Sequence, residues 1–179
     1  MSNTENFDFL DEDGLSPLYW SVKMKNSNVM LALIKNHASV CHAIKSSISP
    51  ISWVIDLNMA TDLDTMVEQG LAPNARGIFL LSSIHQWKLA STVVLIENDA
   101  DIAFTDTKGS NGMHQVMNCF NHNPFLATSL SDYIISKGCD TQKKNIENWS
   151  PIHIACQKGQ TEAIKYMIKS NFDFNLRGG

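Results

Sequence analysis

Residues 148–175 read NWSPIHIACQKGQTEAIKYMIKSNFDFN. A Ser150-Pro151 pair opens the stretch, Ala155 and Cys156 place small side chains in the middle of an apolar run, and Gly159 interrupts it. A second run follows, with Ala163, Ile164, Met167 and Ile168 at helical spacing. The pattern predicts two short helices joined by a tight turn. A serine hydroxyl can cap the unpaired N–H groups of a first turn, and proline is tolerated there because its missing donor had no partner. Gly159 suits a turn that demands a positive φ, and the small pair lets a neighbouring helix approach closely.

The same signature recurs upstream. Residues 14–40, GLSPLYWSVKMKNSNVMLALIKNHASV, and 47–74, SISPISWVIDLNMATDLDTMVEQGLAPN, repeat the Ser-Pro start, the two apolar runs and the polar exit. Residues 76–102 lose the Ser-Pro but keep both runs, and residues 109–140 keep His114 and carry extra residues between the runs. The units begin at residues 14, 47, 76, 109 and 148, so their spacings are 33, 29, 33 and 39. One hairpin this short cannot bury its apolar stripe alone, whereas stacking on the next one can. The expected fold is therefore all-α, a solenoid of five stacked helical hairpins with short loop fingers. Its segments are a cap over 1–13, units over 14–46, 47–75, 76–108, 109–147 and 148–177, and the start of a further unit at 178–179. Asn58 fits the mid-unit turn as Gly159 does. Lys25 and Trp87 stand at the corresponding places and predict an altered turn there. The third and fourth units diverge most and are expected to be the weak link, with the fastest hydrogen exchange around residues 105–128.

These residues resemble the ankyrin repeat. Ser150-Pro151-Ile152-His153 stands where that family has Thr-Pro-Leu-His, Ala155-Cys156 where it has an alanine pair, and Gly159 at its mid-unit glycine; Asp173 and Asn175 match its exit. The resemblance implies a non-catalytic adaptor that binds another protein across the concave face formed by finger tips and inner helices. Mapped by the family's register, the partner-binding residues are Asp13, Leu15, Lys23 and Met24 in the first unit and Lys45, Ile48, Asp56 and Leu57 in the second. His85 and Gln86 come from the third unit, and Trp149, Gln157 and Lys158 from the fifth. Trp149 has two readings, a partner anchor or a staple folded back on the preceding loop. Trp20 and Trp53 share one register and are expected to pack between units, with partner contact second. His114 and His153, at the motif's histidine position, read as neutral structural residues.

The totals narrow the alternatives. A formal charge of −4 and no basic run longer than Lys143-Lys144 argue against nucleic acid as partner. No apolar run is long enough to cross a bilayer, and the polar, acidic start lacks the features of a secretory signal, so a soluble, cytoplasmic, monomeric array is expected. Four scattered cysteines without a CxxC read as reduced thiols. His114, Cys119 and His122 form the one metal-like cluster, and three ligands without a fourth are a poor zinc set. With no nucleophile motif, phosphate loop or paired carboxylates, neither catalysis nor a cofactor is expected.

The ends carry two more expectations. Phe7, Phe9 and Leu10 are expected to drop onto the first unit as its cap. Leu176-Arg177-Gly178-Gly179 looks like the opening of a sixth unit. That leaves an alternative function: an N-terminal targeting or regulatory region of a larger enzyme, channel or secreted effector whose active domain lies beyond residue 179.

Overall fold

The computed structural model describes residues 7–40, 49–70 and 73–172, with the side chains of 69, 70, 73 and 74 left aside. Among these residues there are ten α-helices and no strand. The helices are α1 (Pro17–Lys23), α2 (Ser27–Lys35), α3 (Pro50–Asp56), α4 (Ala60–Gly70), α5 (Pro73–His85), α6 (Leu89–Glu97), α7 (Gly112–Cys119), α8 (Pro124–Ser136), α9 (Pro151–Gln157) and α10 (Thr161–Lys169). They form five antiparallel pairs in two rows. The inner row runs α1, α3, α5, α7, α9, each packed on the next, while α2, α4 and α6, and then α8 and α10, stack behind it.

Each start is set by the residues that precede it. Ser16 Oγ accepts from the Tyr19 amide at 3.1 Å and Ser49 Oγ from the Ser52 amide at 3.3 Å, both ahead of a proline. These bonds satisfy amides that have no partner inside the helix. In the last pair, Ser150 Oγ lies 2.8 Å from His153 Nδ1, which also accepts the Ser150 amide at 3.2 Å. Because that nitrogen accepts from an N–H, the serine hydroxyl must be its second donor.

The turns between paired helices correct the expectation for Lys25 and Trp87. Lys25, Asn58, Trp87 and Gly159 all stand in the left-handed region, with φ of 53°, 57°, 61° and 62°. The turn is the same in all four. Its two closing bonds explain why: the Lys25 amide reaches Val22 O and the Asn26 amide Ser21 O, and the pattern repeats at Trp87 and Lys88 and at Gly159 and Gln160. These pairs satisfy carbonyls left open at the helix end, so the chain keeps the left-handed residue even without glycine. The same closure ends the outer helices at His37, Asp99, Gly138 and Asn171.

Between the rows runs one apolar seam. Leu18, Met30, Ile51, Ile55, Leu63, Met66, Leu80, Ile84, Leu95, Met113, Met117, Leu130, Ile134, Ala163 and Met167 are all buried in it. Each pair contributes to the seam and covers its neighbour's contribution, which is the physics expected of an array.

The fourth pair holds the largest surprise. Its extra residues form a 3₁₀ turn, Phe120–His122, that docks on α10. Phe120 is buried with its ring 5.4 Å from that of Tyr166. The Asn121 amide donates to Gln160 Oε1 at 2.7 Å, Gln160 Nε2 donates to Asn118 O at 2.9 Å, and Asn121 Oδ1 accepts from the Glu162 amide at 3.1 Å. The inserted residues therefore clamp the fourth pair to the fifth. This geometry argues against a weak segment here, since Asn118, Asn121 and the Phe120 ring are engaged across the pair boundary.

Two further departures stand out. Helix α5 begins at Pro73, ahead of residue 76, so the third unit starts with extra helix in place of a finger. At the start of the chain, Phe7 packs against the core, but Phe9 and Leu10 are exposed. The cap is fastened instead by polar bonds, from the Ser39 amide to Asp8 Oδ1 at 2.7 Å and from Trp20 Nε1 to Asp11 Oδ2 at 2.6 Å.

Candidate partner-binding face

Three fingers share one design. In Asp11–Leu15, Asp106–Ser110 and Asn145–Trp149 the first residue's amide donates to the fifth residue's carbonyl, at 3.0, 3.0 and 2.9 Å. Its side-chain Oδ1 accepts from the amides of the third and fifth residues: Asp13 and Leu15, Lys108 and Ser110, Glu147 and Trp149. The fourth residue, Gly14, Gly109 or Asn148, takes a positive φ. An aspartate or asparagine followed three residues later by glycine or asparagine is a turn with a mechanism. That signal is present in DEDGL, DTKGS and NIENW, and the reading by period and Ser-Pro start passed over it.

The last two fingers and helices α7 and α9 enclose a groove of about 390 Å³ lined by Asp106, Lys108, Gln115, Asn118, Glu147, Trp149, Ile154, Gln157 and Lys158. Trp149, Gln157 and Lys158 thus come together. The Trp149 carbonyl is tied down, accepting from His114 Nε2 at 2.9 Å and from the Asn145 amide, while its half-buried side chain faces the groove. His114 is buried, and desolvation pushes its pKa below the ordinary 6.5, against the pull of the Trp149 carbonyl and the carboxylates of Asp106 and Asp140. It works as a strut between the fourth and fifth pairs.

At the other end of the molecule, Asp13 is exposed at its finger tip, Leu15 is half-buried, and Lys23 Nζ sits 4.4 Å from the centre of the Trp20 ring. Met24 is 71% exposed, while Leu57 is half-buried against the core. Asp56 is exposed and its carbonyl accepts from Lys88 Nζ at 2.8 Å. Trp53 stands edge-on to Tyr19 at 4.7 Å, joining the first two pairs. In the third pair His85 is exposed, and Gln86 Nε2 is held by Ser82 Oγ at 3.1 Å. Lys45 and Ile48 lie outside the described residues. A second, apolar recess, which the sequence did not suggest, lies between Ile78 and Leu81 of α5 and Phe104 of the following finger. Phe104 fits there because residue 77 is glycine; a Cβ on it would fall 2.4 Å from the ring.

Among the described residues no three His, Cys, Asp or Glu side chains gather in a way that could hold a metal ion. Burial pushes the Cys139 thiol up to about 11, which leaves it an unreactive core residue. No helix among the described residues is long and apolar enough to cross a membrane.

Comparison with known proteins meets this geometry. The model of ankyrin repeats in three copies matches residues 86–178, just over half of the chain. No curated protein matches by sequence. Among solved structures, the ankyrin repeat protein EF0377 superposes with a TM-score of 0.78 at 21% identity, covering 93% of this chain and 87% of that one. An ankyrin repeat domain, ABAYE2397 from Acinetobacter baumannii AYE, follows with 0.76 at 15% identity, covering 92% and 86%. A chain in the complex of the predatory endopeptidase Bd0816 from Bdellovibrio bacteriovorus with immunity protein Bd3460 gives 0.71 at 15% identity, covering 93% and 86%. The paired helices, the left-handed turns, the fingers and the family match agree, and the chain belongs to the ankyrin repeat family.

Proposed function

We propose that this protein is a non-catalytic adaptor that captures a partner protein along the concave face formed by the fingers and the inner row. Ankyrin repeats are in general protein-interaction modules without catalysis. The observation that supports the reading here is the groove at α7 and α9, where Trp149, Gln157 and Lys158 line one surface with two fingers as its wall. Aromatic residues in such settings dominate interface energetics. The similar chain in the endopeptidase–immunity protein complex is a precedent for this fold in a protein–protein assembly.

The test is affinity capture with mass spectrometry on the wild type and on a variant carrying Trp149→Ala and Met24→Ala. Both side chains are removed from the concave face without opening the seam. Partners retained by the wild type should be lost from the variant and kept by a control, Phe125→Ala, whose ring is exposed at the α8 start. Equal retention by the concave-face variant and the wild type would exclude these residues.

A further inference from the structure

The concave face changes chemistry along its length. In the first two pairs the inner row presents Trp20 of α1 with Met24 just past its end and, one repeat later in the same register, Trp53 of α3 with Leu57 just past its end. Helix α1 turns Leu18, Tyr19, Ser21 and Val22 inward, so Trp20 and Met24 stand on its free side. The Trp20 indole reaches Asp11 of the finger, which fixes that side as the one the fingers face. In the last two pairs the same register holds Gln115 and Cys119, then Ile154 and Lys158, and the groove they share with Asn118 and Gln157 is mostly polar, Ile154 being its apolar exception. Exposed Trp and Met side by side are the composition of an interface core rather than of ordinary surface.

Charge divides the same region. Asp11, Glu12 and Asp13 form the exposed finger tip, and the ion pairs among the described residues, Lys137–Glu97 and Lys165–Glu162, lie elsewhere. The cations sit at the far end of the inner helices: Lys23 against the Trp20 ring, Lys25 at the turn, and Lys88 on the Asp56 carbonyl. An incoming chain therefore meets a negative edge and then an apolar floor, with Lys23, Lys25 and Lys88 and the exposed Asp56 on its far side.

We infer that the first two pairs take a partner segment that lays aliphatic or aromatic side chains across Trp20, Met24, Trp53 and Leu57 and sets a lysine or arginine against the Asp11–Asp13 tip. The inference rests on the adaptor reading and gives it a partner chemistry. The apolar floor supplies the binding energy, and the acidic tip supplies orientation and a faster encounter.

A random peptide library displayed on phage, selected against the immobilised full chain, provides the probe. Selected peptides are expected to combine apolar side chains with a basic residue. Measured by fluorescence anisotropy, Met24→Asp should weaken them about tenfold or more, and Asp13→Lys should weaken them and flatten their salt dependence. Lys158→Glu probes the groove of the last pairs, and Phe125→Ala, away from both surfaces, should leave the peptides unchanged. Thermal unfolding of each variant checks that the exposed substitutions leave the array folded. A library that yields no binder, or one that yields acidic peptides, overturns the inference. Peptides lost by Lys158→Glu but kept by Met24→Asp overturn it while leaving the adaptor reading intact. Peptides indifferent to Met24→Asp, Asp13→Lys and Lys158→Glu alike bind away from the concave face and defeat both.

Discussion

At Lys25 the backbone φ of 53° belongs to a residue with a Cβ, which costs about 1 kcal/mol that glycine does not incur. Its side chain is exposed and its amide is fixed by Val22 O, so no hydrogen bond of the turn depends on the lysine side chain. Lys25→Gly is expected to stabilise the protein by up to about 1 kcal/mol, less the extra chain entropy glycine brings to the unfolded state. Gly159→Ala should do the reverse, because φ is 62° and the space around an added Cβ is open, leaving backbone strain as the whole effect. A second residue-scale outcome concerns Ser91, fully buried in α6 with no hydrogen-bond partner for its hydroxyl. Ser91→Ala removes an unsatisfied polar group and should stabilise by about 1 kcal/mol. Urea unfolding midpoints check all three. The sequence showed where these turns stand but misjudged what they tolerate. Two backbone bonds hold the left-handed residue, and that compensation is invisible in the side-chain pattern.

Between elements, the boundary of the fourth and fifth pairs rests on Gln160 and His114. Gln160 is buried and spans the boundary with both ends of its amide, to the Asn121 amide and the Asn118 carbonyl. Gln160→Ala leaves both partners unpaired and should cost about 2 kcal/mol. His114 adds a pH dependence. Its folded pKa is depressed by burial, so the unfolded chain binds the proton more readily; stability is complete above the unfolded value of 6.5 and is lost as pH falls toward the folded value. Between about pH 7.5 and pH 5 the urea midpoint should fall, and His114→Gln should shrink that fall. Element placement was largely legible, since Ser-Pro starts and apolar spacing lead to α1, α3 and α9 directly. The clamp was not. A run such as Cys119-Phe120-Asn121-His122 reads as polar loop or metal cluster, and only its neighbour in space shows that Phe120 fills a gap beside Tyr166. The finger residues Asp11, Asp106 and Asn145 were legible in principle through their spacing to Gly14, Gly109 and Asn148.

Across the whole molecule, no pair closes its own core, and each seam is finished by the next pair. The concave face exists because the fingers and the inner row stay in step, so any partner surface inherits its order from the stacking. Legibility at this scale was uneven. The repeat predicts the solenoid, while the division of the concave face into an apolar half and a polar half depends on which side chains are left outward after stacking. Native-state hydrogen exchange resolved by residue tests that architecture most directly. Protection should differ from pair to pair, with the amides of Met113–Phe120 and Ala163–Met167 among the slowest and opening together, and Gln160→Ala should speed both sets while sparing α1 and α2. One uniform protection across all five pairs, or fastest exchange in the clamp itself, would contradict the account.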